Sequence, residues 1–230
     1  DNMNVCPVDS FNRLAIKGDV INPESLGVDG VSMKLVGSEM SSQTTNGNYI
    51  FNDLIQGSNY EVVPSKDNDI LNGVSTLDIV FIQRHIMDIA KLNTPYNLIA
   101  ADINKDGRIT AADIVQLRKV ILGIHDNFPY NTSWRMIDKA YEFPDAKDPF
   151  LTPFPEKYHI ESLNTNMRID WIGVKTGDVN SSYVTNLNSE AVESRMSSFS
   201  LILPDQTIAK GENMISVHSC LLYTSPSPRD

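Results

Sequence analysis

Asp102-Ile-Asn-Lys-Asp-Gly-Arg-Ile-Thr-Ala-Ala-Asp113, running directly into Ile114-Val-Gln-Leu-Arg-Lys-Val-Ile-Leu-Gly123, is the stretch on which the reading of the chain turns. Asp102, Asn104, Asp106, Thr110 and Asp113 stand at positions 1, 3, 5, 9 and 12 of a twelve-residue loop, and Arg108 at position 7 offers its backbone carbonyl. Gly107 at position 6 supplies the sharp turn such a loop needs, because glycine tolerates the backbone angles that other residues resist.

All six donors are oxygens, the preference of a hard divalent cation, and their spacing is that of an EF-hand-like calcium loop. A plainer account takes Thr110 and Asp113 as a capping box ahead of an amphipathic helix. Both readings can hold together. The capping box leaves Asp102, Asn104, Asp106 and Gly107 unexplained, and three carboxylates in one short loop repel each other unless a cation sits among them.

Outward from this loop the chain repeats itself. Asp78-Ile-Val-Phe-Ile-Gln-Arg-His-Ile-Met-Asp-Ile89 superposes on Asp113-Ile-Val-Gln-Leu-Arg-Lys-Val-Ile-Leu-Gly-Ile124. Ile79, Ile82, Ile86 and Ile89 in one copy, and Ile114, Leu117, Ile121 and Ile124 in the other, recur at helical spacing and predict two helices that pack together. The first copy is preceded by Asp67-Asn-Asp-Ile-Leu-Asn-Gly-Val-Ser-Thr-Leu-Asp78. There Asp67, Asp69, Ser75 and Asp78 fit positions 1, 3, 9 and 12, with the Gly73 carbonyl as a further donor. Leu71 occupies position 5 and has no ligating side chain, so a weaker or distorted site is expected. Leu92-Asn-Thr-Pro-Tyr-Asn-Leu-Ile-Ala-Ala101, between the helices, reads as a turn at Pro95 with Tyr96 and Ile99 packed beneath the helix pair.

The paired loops, each followed by Asp-Ile-Val and each with aspartate at position 12, resemble a type I dockerin over residues 67–124. That resemblance implies calcium as cofactor, one helix after each loop, a cohesin-like partner and membership of polysaccharide-degrading assemblies. The variable recognition positions read Thr76-Leu77 and Ala111-Ala112 and do not identify a partner.

Before the repeat, short alternating runs are broken by turn residues: Leu14-Ala-Ile-Lys-Gly-Asp-Val-Ile21, Val31-Ser-Met-Lys-Leu-Val36, Thr44-Thr-Asn-Gly-Asn-Tyr-Ile-Phe51 and Tyr60-Glu-Val-Val63. Val31, Met33 and Leu35 share one face of a half-buried strand, and Asn46-Gly47 is a hairpin signal. This region resembles a Cna-B or carboxypeptidase-regulatory-like β-sandwich, a family of surface stalks and spacers, and is expected to span residues 11–65 as a unit of its own.

After Ile124 the composition shifts. Residues 126–155 interleave Pro129, Pro144, Pro149, Pro153 and Pro155 with Trp134, Tyr141, Phe143, Phe150 and Phe154. Prolines exclude long helices and central strands, so an irregular packed segment is expected, followed by a strand at Arg168-Ile-Asp-Trp-Ile-Gly-Val-Lys175. Trp134, Tyr141 and Trp171 either cover the calcium module's helices, the more frequent use of such residues, or form a sugar-stacking platform for a glycan. The run from Trp171 to Asn180 is similar to segments that follow dockerin-like repeats in large Bacteroidetes-type secreted proteins, which implies a secreted or cell-surface location.

The expected architecture is therefore multidomain and mainly β with a small α module. It comprises residues 1–10 as a linker or the end of a preceding domain, the sandwich over 11–65, the two-helix dockerin-like repeats over 66–125 and an irregular, partly stranded segment over 126–180. A linker over 181–197 and the start of a truncated β domain over 198–219 follow, and residues 220–230 resemble translated sequencing adapter. Asp1 in place of an initiator methionine fits an internal piece of a longer protein.

Composition removes several functions. At 230 residues and 41% hydrophobic content real cores can form, while a net charge of −10 without any basic run argues against nucleic acid or an anionic membrane as partner. No apolar run is long enough to span a bilayer. No nucleophile elbow or catalytic histidine constellation emerges, and no enzymatic activity is expected. The expected role is a calcium-rigidified joint or spacer between domains; docking to a cohesin-like partner is the alternative, distinguished by whether the repeat helices keep an exposed apolar face.

Overall fold

The computed structural model describes residues 13–184. They fall within one compact unit. The expectations for residues 1–10 and 198–230, and most of the linker proposed for 181–197, fall on residues that are not described.

The described residues hold nine strands and three helices. β1 (Arg13–Ile21), β2 (Ser32–Val36), β3 (Ser41–Gln43), β4 (Asn48–Ile55) and β5 (Tyr60–Ser65) precede the repeat. Then come α1 (Thr76–Ile86), α2 (Pro95–Ala101) and α3 (Ala111–Ile121), followed by β6 (Trp134–Asp138), β7 (Tyr158–Ile160), β8 (Met167–Arg168) and β9 (Trp171–Lys175). In β2, Met33 and Leu35 are buried while Lys34 and Val36 face out, as the alternation requires. Asn46 and Gly47 both take positive φ, the geometry of a tight turn, but only the Thr45–Asn48 bridge follows it, because β3 and β4 enter different sheets.

One sheet runs β4-β1-β9-β6 with β8 also on β1, and the other runs β3-β2-β5-β7. The sandwich is thus not confined to residues 11–65. β9 pairs in parallel with β1 through Val20–Trp171 and Ile21–Ile172, β6 pairs antiparallel with β9, and β7 closes the edge of β5. The segment expected over 126–180 as irregular, partly stranded and packed on the helical module does pack there through Ile137, Phe143, Phe154, Ile172 and Val174, and it also supplies strands to both sheets. The reason is physical: β1 and β5 each offer a row of unpaired amides and carbonyls, and the segment after the helices satisfies them.

Two cores result. The first lies between the sheets and holds Val20, Met33, Leu35, Phe51, Val62, Trp134, Met136 and Trp171. The second lies on the other side of β6 and β9, where Ile137, Ile172 and Val174 meet Ile79, Ile82, Ile99, Leu117 and Val120 of the helices. β9 is accordingly buried along its whole length, covered by a sheet on one face and by helices on the other.

The repeat is exact in the fold: α1 and α3 are both 11 residues long, and both begin with a capping box, Ser75 with Asp78 and Thr110 with Asp113. The stretch read as a turn is a short third helix, α2, with Pro95 in its first turn, Thr94 as N-cap, Ile99 fully buried and Tyr96 partly buried, so the expected packing of these two residues holds.

Candidate metal centre

The second loop folds around Asp102, which is 1% exposed. Its carboxylate accepts from the amides of Asp106 at 3.1 Å and Gly107 at 3.0 Å, wrapping the loop about position 1. Gly107 has φ +76, so the glycine at position 6 provides the turn for which it was singled out. Asn104 accepts from the Asp106 amide, and Asp106 accepts from the Arg108 amide. Asp113 is fully buried: one oxygen takes the amides of Ile103 and Asn104, the other the amide and hydroxyl of Thr110. Asp102, Asn104, Asp106, Arg108, Thr110 and Asp113 thus belong to one compact loop.

Burial raises the pKa of both Asp102 and Asp113, and a neighbouring carboxylate adds to each, Asp113 to Asp102 and Asp106 to Asp113. Arg135 opposes this at Asp102 through its charge, but its bonds go elsewhere. Arg135 and Lys105 bind Glu156 at 2.8 and 3.1 Å. Burial pushes Glu156 up, but these two cations outweigh it and hold its carboxyl below the usual range. Among the described residues, no three His, Cys, Asp or Glu side chains gather as a metal cluster by themselves. An ion here would use the amide oxygen of Asn104, the Thr110 hydroxyl and the Arg108 carbonyl beside the carboxylates, a donor set of hard oxygens that fits calcium.

The first loop is built differently: where the second loop's donors bond mainly within their own loop, several of the first loop's predicted donors are met by residues from outside it. Asp67 accepts from the Ser133 amide at 2.8 Å, and Asp69 pairs with Lys66 at 3.6 Å. The Gly73 carbonyl takes the Ser182 hydroxyl at 2.8 Å. Ser75 and Asp78 form the capping box, and the second oxygen of Asp78 takes the Val179 amide instead of an amide of its own loop. Leu71 is exposed, as a position without a ligand would be. The positive φ falls at Asp69 and Gly73, whereas the second loop places it at Lys105 and Gly107. Short of a side-chain ligand at Leu71 and drawn to partners outside the loop, this donor set fits an ion less well than that of the second loop.

Residues 72–122 match the family model of the type I dockerin domain. No curated protein and no solved structure matches the chain. Type I dockerins are non-catalytic modules that bind calcium in EF-hand-like repeats and dock to cohesins. In this chain the matched dockerin stretch begins after Asp67 and Asp69, so it takes in the whole second loop and only the later part of the first.

The aromatic residues divide between the two cores. Trp134 and Trp171 are 2% and 0% exposed and fill the sandwich, so they neither cover the dockerin helices nor offer a stacking face to sugar. Tyr96, Phe143 and Phe154 form edge-on contacts at ring separations of 5.9 Å, Tyr141 joins at Phe143, and Arg135 lies 4.6 Å above Phe154. Phe150 packs against Gly107 of the second loop. Sequence reasoning missed Lys175, a lysine at the end of β9 that is 1% exposed and sits against the first loop. A charged residue closing a hydrophobic strand was its only signal.

Proposed function

We propose that residues 66–125 form a calcium-dependent docking module for a cohesin-like domain, with calcium held in the second loop by Asp102, Asn104, Asp106, the Arg108 carbonyl, Thr110 and Asp113. The observation that carries this reading is a duplicated set of exposed apolar side chains. Val80 and Val115, Met87 and Leu122, and Ile89 and Ile124 occupy equivalent places in the two repeats, and each is between 46% and 65% exposed. A helix pair that served only to fill a joint would bury such residues; a docking helix presents them. The setting this implies is a secreted or cell-surface assembly of the kind that degrades polysaccharide.

The joint role has its own support, and the two are compatible. The ends of the module are tied together at the sandwich, where Ser133 bonds both the Asp67 carboxylate and the Asn68 carbonyl, so the helices are held in a fixed pose. The deciding experiment is capture of the full chain on immobilised type I cohesin domains with calcium present. Val80→Asp and Val115→Asp, both at exposed positions, are expected to abolish capture while leaving the melting temperature within about 2 °C of the parent. Capture that survives the double variant, or a parent chain that no cohesin retains, would leave the joint as the function.

A further inference from the structure

The first loop lacks a ligand at Leu71, and positive charge gathers beside it. The Lys175 ammonium donates to the carbonyl of Ile70, at position 4 of that loop, at 2.9 Å and to the Thr176 carbonyl at 3.4 Å, and it lies 5.6 Å from the centre of the Phe128 ring. Asp178, Asp69 and Asp67 all lie within electrostatic reach of it. Lys66, 9% exposed, pairs with Asp69 from the other end of the loop. The segment after β9 completes the seal: Asp178 accepts from the amides of Asn180, Ser182 and Tyr183, and Val179 donates to Asp78. A Cβ on Gly73 would stand 2.2 Å from Asp178, so the segment after β9 packs directly against the loop.

We propose that the Lys175 ammonium, delivered by strand β9, takes the place of calcium in the first loop, so that the module carries one exchangeable ion and one fixed cation supplied by its own chain. The contrast with the second loop supports this. There Arg135 and Lys105 bond Glu156, with Arg135 acting on Asp102 through its charge alone, whereas in the first loop Lys66 pairs with Asp69 and Lys175 bonds a carbonyl of the loop itself. A divalent ion added beside a buried ammonium would meet its repulsion, and the ligand lost at Leu71 removes the charge that would offset it. Half of the module is thereby fastened to the sandwich whatever the calcium concentration.

The inference rests on the calcium reading of the second loop, and the experiment separates the two. Calcium alone is titrated into the full chain by calorimetry, with native mass spectrometry as the count. One ion per chain is expected; two would overturn the proposal. In Asp106→Ala, whose side chain is exposed and makes only loop contacts, binding is expected to vanish; one ion remaining would place calcium in the first loop and overturn it. A parent chain that binds none would refute the second-loop site, and the lysine's part would then be decided by melting in chelator. There Lys175→Met should melt lower by about 10 °C, since it leaves the Ile70 carbonyl and the surrounding carboxylates uncompensated. An unchanged melting temperature would overturn the assignment. If that variant fails to fold, the ion count in the parent and in Asp106→Ala still decides.

Discussion

Ile172 offers the sharpest test of how the helices and the sandwich depend on each other. It lies in β9, 6% exposed, paired with Ile21 on one side and Ile137 on the other, and its side chain belongs to the core that β6 and β9 share with the helices. Ile172→Ala removes three carbons from a site closed by a helix layer that cannot collapse freely, for which a loss of about 3 kcal/mol is the central expectation. At this chain length each kcal/mol moves the melting temperature by about 2–4 °C, so a fall of about 6–12 °C follows. Calcium must be held at one saturating concentration, since a bound ion itself raises the melting temperature. The two tryptophans of the chain, Trp134 and Trp171, both report on the sandwich core, while helical circular dichroism reports on α1 to α3. Both signals should fall together, with one midpoint, in the parent and in the variant. If the helical signal melts early in Ile172→Ala while tryptophan fluorescence keeps the parent's midpoint, the two cores are separate cooperative units and the reasoning fails.

Two further predictions concern the loops. Gly73 and Gly107 have nearly the same φ, +77 and +76, but different surroundings. An added Cβ at Gly107 would meet only Phe150 at 3.6 Å, so Gly107→Ala should cost about 1 kcal/mol of backbone strain and weaken calcium binding, as calorimetry would record. At Gly73 the Cβ would strike Asp178 and the backbone of Tyr183 at 2.6 Å, so Gly73→Ala should be markedly less stable than Gly107→Ala in thermal melts, and equal melting would count against the packed first loop. His85 accepts the Leu92 amide on Nδ1 at 3.1 Å, and burial first, then Lys91, lowers its pKa. A depressed histidine favours the fold above its ordinary pKa and withdraws that support as pH falls. Between about pH 7 and pH 5 the parent should therefore lose more melting temperature than His85→Asn, which keeps an acceptor without titrating. Burial raises Asp178 to about 6, with the opposite sign in the same window, but it does so equally in both proteins. Parallel pH profiles for the two would remove the role given to His85.

The helical repeat was legible because its signals are local. Ser75 and Thr110 three residues before an aspartate, and isoleucines at helical spacing, are settled within one or two turns of chain, and the helices begin where those residues say. The early strands were legible for the same reason, Met33 and Leu35 alternating with Lys34 and Val36. β9 was legible as a strand but not its place in the sheet, and β6 carried no such mark. Trp171-Ile-Gly-Val-Lys175 is buried on both faces and therefore does not alternate, and its partner in β1 lies far away in sequence. In the second loop every candidate donor was legible, because all lie within one twelve-residue span from Asp102 to Asp113. In the first loop Leu71 announced a missing ligand, but the residue that answers it, Lys175, arrives from a strand that only tertiary structure brings near.

The parallel pairing of β1 with β9 sets a timetable for the chain as it is made. Asp19 and its partner Asp170 are separated by 151 positions, so β1 through β5 leave the ribosome long before the strand that completes their sheet exists. Throughout that interval one edge of β1 is open, and Val20 and Met33 lack the cover of Trp171 and Trp134. Contacts so distant in sequence close slowly, and an open strand edge is where a growing chain captures a neighbour. All three helices are made before β6 to β9, so the repeat is complete before the sandwich shuts around its two ends.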